Sequence, residues 1–181
     1  MRRGMKALMI GVALGSAGLV AGCKGGAATP TERLWVSGVP TSPKAPLTAF
    51  VTMRSENKGE GYLGAFYQGS LLRGGHEVFE WKDTGKDRAS VRFLQDDVEV
   101  KLTLSPCNPS TGFDYCLELR GDSPYARRYQ SRKRWIVRRP GRTRDAAAGL
   151  VTHAMLELAD DDDELAQALD LAAEAAGISH E

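Results

Sequence analysis

The sequence predicts a mainly β protein with C-terminal helices, an α+β chain built as an antiparallel sandwich or small barrel of about eight strands plus one or two helices. Three observations carry this. From Leu34 to about Arg139 apolar residues recur with a period of two, the spacing at which strand side chains alternate between faces. Turn-forming residues divide that stretch into short runs, as close antiparallel connections require. After Pro140-Gly141 the composition switches: residues 145–176 hold 11 alanines and no proline, and the period lengthens.

The strand-like runs in order are Leu34–Val39, Thr48–Arg54, Tyr62–Gln68, Glu77–Trp81, Ser90–Gln95, Val98–Leu104, Phe113–Arg120 and Arg134–Val137. Alternation is clearest where Val98, Val100, Leu102 and Leu104 intercalate with Glu99, Lys101 and Thr103. Turn signals at Gly59–Gly61, Gly74-Gly75, Asp83–Lys86, Asp96-Asp97 and Gly121–Pro124 separate the runs. Such alternation predicts one buried and one wet face. Residues 33–140 are therefore the β-domain.

Residues 141–181 form an acidic, alanine-rich tail. Leu150, Ala154 and Leu158 stand four apart, and Leu165, Leu169, Ala172 and Ala176 continue the helical spacing. Asp160–Asp163 interrupts it. Asp161 followed by Glu164 matches a capping box, and Gly177 suits a helix stop. Capping is the favoured role of these acids, because contiguous carboxylates on a turn diverge and calcium-loop spacing is absent. The Leu/Ala stripe packs on the β-domain or, alternatively, pairs with another chain.

Composition bounds the rest. With 181 residues, 42% of them hydrophobic and 26% charged, the chain is a globular protein of one-domain size rather than a disordered one. No uncharged apolar run is long enough for a standard membrane span.

The N-terminus reads MRRGMK, then an uncharged stretch from Ala7 to Val20, then small residues up to Cys23. This is the basic, apolar and small-residue order of an export signal. Val20-Ala21-Gly22-Cys23 resembles the lipobox of bacterial lipoproteins. The resemblance covers residues 1–23 and implies cleavage before Cys23, acylation of that cysteine (palmitate among the chains) and membrane anchoring. Lys24 rather than Asp at the next position implies the outer membrane, facing the periplasm. Residues 23–32 become a lipidated tether, since Lys24 to Glu32 lack hydrophobic periodicity.

Cys107 and Cys116 remain. An exported chain meets an oxidising compartment, so these two are expected to pair and staple a hairpin loop. A redox-active pair is the alternative, though CxxC spacing is absent.

Charge is segregated. Residues 145–181 hold ten acids and no Lys or Arg, whereas residues 23–144 carry a net +8. Arg127, Arg128, Arg132, Lys133, Arg134, Arg138 and Arg139 lie in one stretch interleaved with Tyr129 and Trp135. Guanidinium groups suit phosphate and carboxylate, so this segment is the candidate surface for anionic envelope components or a protein partner. Solvation, or pairing with the acidic tail, is the plainer alternative. Export sets nucleic acid aside as a partner. His76, His153 and His180 are isolated, and no nucleophile elbow or phosphate loop occurs. Neither a catalytic residue, a metal nor a cofactor is called for.

The sequence therefore points to a lipid-anchored envelope protein acting as a non-enzymatic binding or assembly module. Two other readings stay open. One is an inhibitor-like module that docks its 107–116 loop into an envelope hydrolase. The other is a hydrolase whose carboxylates, from Glu77, Glu80, Glu99 and Glu118, meet only in space.

Overall fold

The computed structural model describes residues 29–54, 61–137 and 149–178. Eight antiparallel strands close into an up-and-down barrel, each paired to its sequence neighbour and the last to the first. They are β1 (Leu34–Val36), β2 (Leu47–Arg54), β3 (Tyr62–Gly69), β4 (Gly74–Gly85), β5 (Arg88–Phe93), β6 (Val98–Pro106), β7 (Tyr115–Arg120) and β8 (Arg128–Ser131). Two helices follow, α1 (Leu150–Ala159) and α2 (Asp163–Ala175). Of the two expected architectures, the barrel is the one that forms. Closure removes the unpaired edges that a sandwich keeps.

β1 is only three residues long, and side chains help it close the barrel. Val36 pairs with Gln130 of β8. Ser131 Oγ donates to the Leu34 carbonyl at 2.7 Å, in the buried seam between the two strands.

The barrel interior is filled with rings. Phe50 is ringed by Trp35 at 6.1 Å, Phe66 at 5.3 Å, Trp81 at 6.3 Å and Tyr129 at 4.8 Å between centroids. Phe66 also stacks on Tyr125 at 4.3 Å. Gly64 of β3 makes room for this. A Cβ there would lie 2.5 Å from the Val51 carbonyl oxygen and from the Phe79 ring. Eight-stranded barrels have interiors just wide enough for side chains or one small ligand, and here aromatic side chains take the space.

A second core lies outside the barrel, over β1, β2 and β3. Val51, Met53 and Ala65 face outward and meet Val151, Met155 and Leu158 of α1. The helical stripe thus packs on the β-domain. The expected wet face is corrected at this point: seven of the eight residues of β2 are buried, because α1 covers the face that alternation alone would leave to water.

Three other boundaries differ from expectation. The last strand is β8 at Arg128–Ser131, not Arg134–Val137. Within β8 only Tyr129 is apolar, so period-two reading has nothing to detect. Arg134–Val137 instead lies beside β1 through one bridge, Arg33 to Ile136, with Trp135 and Val137 buried. The N-cap of α2 is Asp162, one residue beyond the expected capping-box Asp161. Its side chain accepts from the Leu165 N–H. Pro30 and Glu32, placed before the β-domain by the sequence, are bonded to the barrel: the Trp35 indole donates to the Pro30 carbonyl at 3.0 Å and Glu32 N–H to Thr52 O at 2.9 Å. Gly177 does end α2: at φ +72° it permits Ile178 N–H to reach Ala173 O and Gly177 N–H to reach Glu174 O, the paired bonds of a glycine C-cap.

Candidate functional site

Strand direction sorts the loops into two ends. β1 begins at one end, where the chain enters the barrel from Thr29, and the β4–β5 hairpin and the β6–β7 loop lie at that same end.

Cys107 and Cys116 are joined by a disulfide, with their Cα atoms 4.9 Å apart. It staples the β6–β7 loop as the spacing predicts. Asn108 through Gly112 are exposed, while Phe113 turns back and meets Trp135 edge-on at 5.9 Å. Ser110 N–H donates to Gln130 Oε1 at 2.6 Å, tying the loop to β8.

The basic segment does not form one patch. Arg132 is 8% exposed and pairs with Asp162 at 2.6 Å and with Glu164. Arg134 reaches the other oxygen of Asp162 at 3.0 Å. The Trp135 indole donates to that same oxygen at 2.7 Å. Asp162 is fully buried. Burial acts to raise its carboxyl, but the Trp135 indole, the Leu165 amide and Arg132 outweigh burial and hold it below the usual carboxylate range. Two of the seven candidate cations thus bind the chain's own acidic tail. Arg127 donates to Thr48 Oγ1 at 2.8 Å and to the Pro124 carbonyl. Arg128 donates to Cys116 Sγ at 3.0 Å and to the Asn108 carbonyl. Lys133 is exposed. Arg138, Arg139 and Cys23 lie outside the described residues.

A cleft of about 300 Å³ opens at the end where the chain enters the barrel. Its lining includes the buried side chains Leu104 and Leu117, together with Pro106. Asp83, Lys86, Asp87 and Arg88, from the β4–β5 hairpin, are its charged members, and Thr29, Pro30, Gly85 and Cys116 complete the wall. Asp83 is oriented by the Trp81 indole, which donates to its carboxylate at 2.8 Å. Apolar surface, two carboxylates and two cations therefore share one opening.

Protein families, curated proteins and solved structures contain no match to this chain. Its chemistry must be read from the residues themselves.

Sequence reading marked Asp83–Lys86 as a turn and passed over Arg88, so it missed this cleft. The available signal was a hairpin tip in which both charge signs alternate. The acids considered for hydrolysis do not line the cleft. Glu80 pairs with Arg92 at 3.6 Å, Glu118 with Arg120 at 2.7 Å, and Glu99 accepts from Ser90 Oγ at 2.5 Å. Glu77 lies instead beside the Tyr125 phenol.

Proposed function

We propose that the chain is a lipid-anchored cell-envelope protein that works by binding, not by catalysis, with the tether-end mouth of the barrel as its binding surface. The single observation that supports this most is the aromatic packing inside the barrel. A filled interior directs a ligand to the mouth or the outer surface, and the mouth combines apolar lining with both charge signs.

The anchor comes from the lipobox resemblance at Val20-Ala21-Gly22-Cys23. Thr29 lies six residue steps from Cys23, a reach of at most about 20 Å at ~3.3 Å per residue. Acyl chains on Cys23 thus hold the mouth toward the membrane surface, on the outer membrane facing the periplasm. A ligand with an apolar body and a zwitterionic head fits this opening: its cation meets Asp83 or Asp87 and its anion meets Lys86 or Arg88. Exposed Lys133 lies at the same end and adds attraction for anionic headgroups.

The test has two parts. Cys23→Ser in the full chain is expected to move the protein from the membrane pellet to the soluble fraction, and continued membrane retention of the variant would overturn the anchor. Wild type in detergent is then titrated with a short-chain phosphatidylethanolamine, beside Asp83→Asn/Arg88→Gln. Saturable binding that the double variant loses at least tenfold is expected. Equal binding by both proteins, or none, refutes the mouth as the site.

A second reading rests on the exposed, stapled residues Asn108 to Gly112. They have the form of an inhibitory loop inserted into an envelope hydrolase. Inhibition of such a hydrolase that is abolished by Thr111→Arg, with lipid binding intact, would favour it.

A further inference from the structure

The Cys107–Cys116 disulfide carries a feature that a staple does not need. Arg128 of β8 directs Nε–H at Cys116 Sγ over 3.0 Å. A second nitrogen of the same guanidinium donates to the Asn108 carbonyl inside the loop that the disulfide closes. A divalent sulfur in a disulfide is a weak acceptor, whereas a thiolate is a strong one. The positive charge is thus placed where it stabilises the reduced form of Cys116 more than the oxidised form. Glu118, which faces Arg128 across β7 and β8, has its own partner in Arg120 at 2.7 Å.

The two sulfurs are not equivalent. Cys116 is 6% exposed, while Cys107 is half-buried at the edge of an exposed loop. Attack therefore favours Cys107, and Cys116 leaves.

We propose that Cys107–Cys116 is a thiol–disulfide exchange site, primed by Arg128, whose co-reactant is an external dithiol. The first thiolate of the dithiol attacks Cys107 Sγ. The Cys107–Cys116 bond breaks and its electron pair stays on Cys116 Sγ as a thiolate beside Arg128. The second thiol of the reductant, deprotonated, then attacks its own sulfur in the mixed disulfide and releases Cys107 as thiolate. Two electrons pass from the dithiol, which becomes a disulfide, and the two cysteines end reduced. A leaving thiolate of lowered proton affinity departs faster.

The fold keeps its shape through this cycle. The loop stays attached by Ser110 to Gln130, by Asp114 N–H to Ser131 O at 3.1 Å and by Phe113 against Trp135. These contacts return Cys107 to Cys116 for reoxidation.

The experiment uses the full chain in detergent with dithiothreitol, comparing wild type, Arg128→Met, Arg128→Lys and Arg92→Met. Opening of the disulfide is followed by mass shift after alkylation, and circular dichroism is recorded in both states. Arg128→Met is expected to open about tenfold more slowly. Its equilibrium with the dithiol should move tenfold toward the disulfide, a change of about 30 mV for two electrons. Arg128→Lys should recover part of the rate, and Arg92→Met, on β5 and paired with Glu80 and Asp97, should match wild type. Equal rates and equilibria for wild type and Arg128→Met overturn the proposal. So does opening in every variant that tracks global unfolding.

Wild type alone supplies a second arm, should Arg128→Met fail to fold. At low salt, anionic mercaptoacetate is expected to open the disulfide faster than cationic cysteamine, after each is scaled to its rate with a model disulfide. The preference should fade as salt is added. A scaled ratio of one, or the reverse preference, also overturns the proposal.

Discussion

The Trp135 indole N–H meets the Asp162 carboxylate at 2.7 Å, joining the segment that follows the barrel to the first turn of α2. Both residues are fully buried. One carboxylate thereby caps a helix, receives Arg132 and Arg134, and accepts from an indole. The helices are attached to the barrel by this junction as well as by the apolar face of α1. Such a buried polar cluster is stable only when complete, because removing one partner leaves the others desolvated without compensation.

Asp162→Ala is expected to cost about 3–5 kcal/mol, the range for breaking a buried ion pair from one side. Urea unfolding of the full chain measures it. A loss below about 1 kcal/mol would mean that the cluster is solvated in solution. Trp135→Phe removes the indole donor and also part of a fully buried ring. It should cost at least about 1.5–3 kcal/mol, the range for a hydrogen bond to a charged group, with a cavity contribution added.

The same carboxylate gives stability an acid limb. Its proton affinity is lowered in the folded state relative to the ordinary aspartate value of 3.8. Its stabilising contribution is therefore complete above that value and is lost as pH falls through the lower, folded-state value. Acid titration followed by tryptophan fluorescence should show a destabilisation below about pH 4 that is absent in Asp162→Asn.

Tyr125 sets an alkaline limb. Burial first, and then the neighbouring Glu77 carboxylate, push its phenol from 10.0 up to about 12. The unfolded chain gives up this proton earlier than the folded one, so the folded state loses stability as pH rises above about 10. Tyr125→Phe should keep the stacking on Phe66 and reduce that loss without removing it, because burial raises the Tyr129 phenol as well.

Gly64→Ala tests the aromatic filling of the barrel. The added carbon meets the Val51 carbonyl and the Phe79 ring at 2.5 Å, and a β-ladder carbonyl cannot swing aside. A loss of about 1–3 kcal/mol is expected from overpacking. An unchanged denaturation midpoint would show that the interior has slack.

Leu165→Ala tests how firmly α2 is seated. Leu165 is 1% exposed within the outer core, so truncation should cost about 2–5 kcal/mol. Protease sensitivity should then rise in residues 149–178 and stay unchanged in the barrel.

Much of the fold was legible in the chain. Val98 to Leu104 alternate cleanly and Tyr62 to Gln68 form a β-rich run, and both strands fall where these signals place them. Leu150, Ala154 and Leu158 mark the inner face of α1. Cys107 and Cys116 pair as their number and spacing imply. These features are local: strand and helix periods repeat within a few residues, and the two cysteines sit close along the chain.

Tertiary structure decided the remainder. Barrel rather than sandwich depended on β1 reaching β8, a contact between residues nearly a hundred positions apart. The strand at Arg128–Ser131 has almost no apolar signal and exists because β1 and β7 offer it partners. Burial of the outer face of β2 required α1 to fold over it. The fate of the arginines was equally nonlocal. Sequence showed one stretch rich in arginine and a distant acidic tail, but only packing brought Asp162 to Arg132 and aimed Arg128 at a sulfur. Charge and pattern are properties of a chain, whereas the partner each charge meets depends on which surfaces the hydrophobic cores bring together.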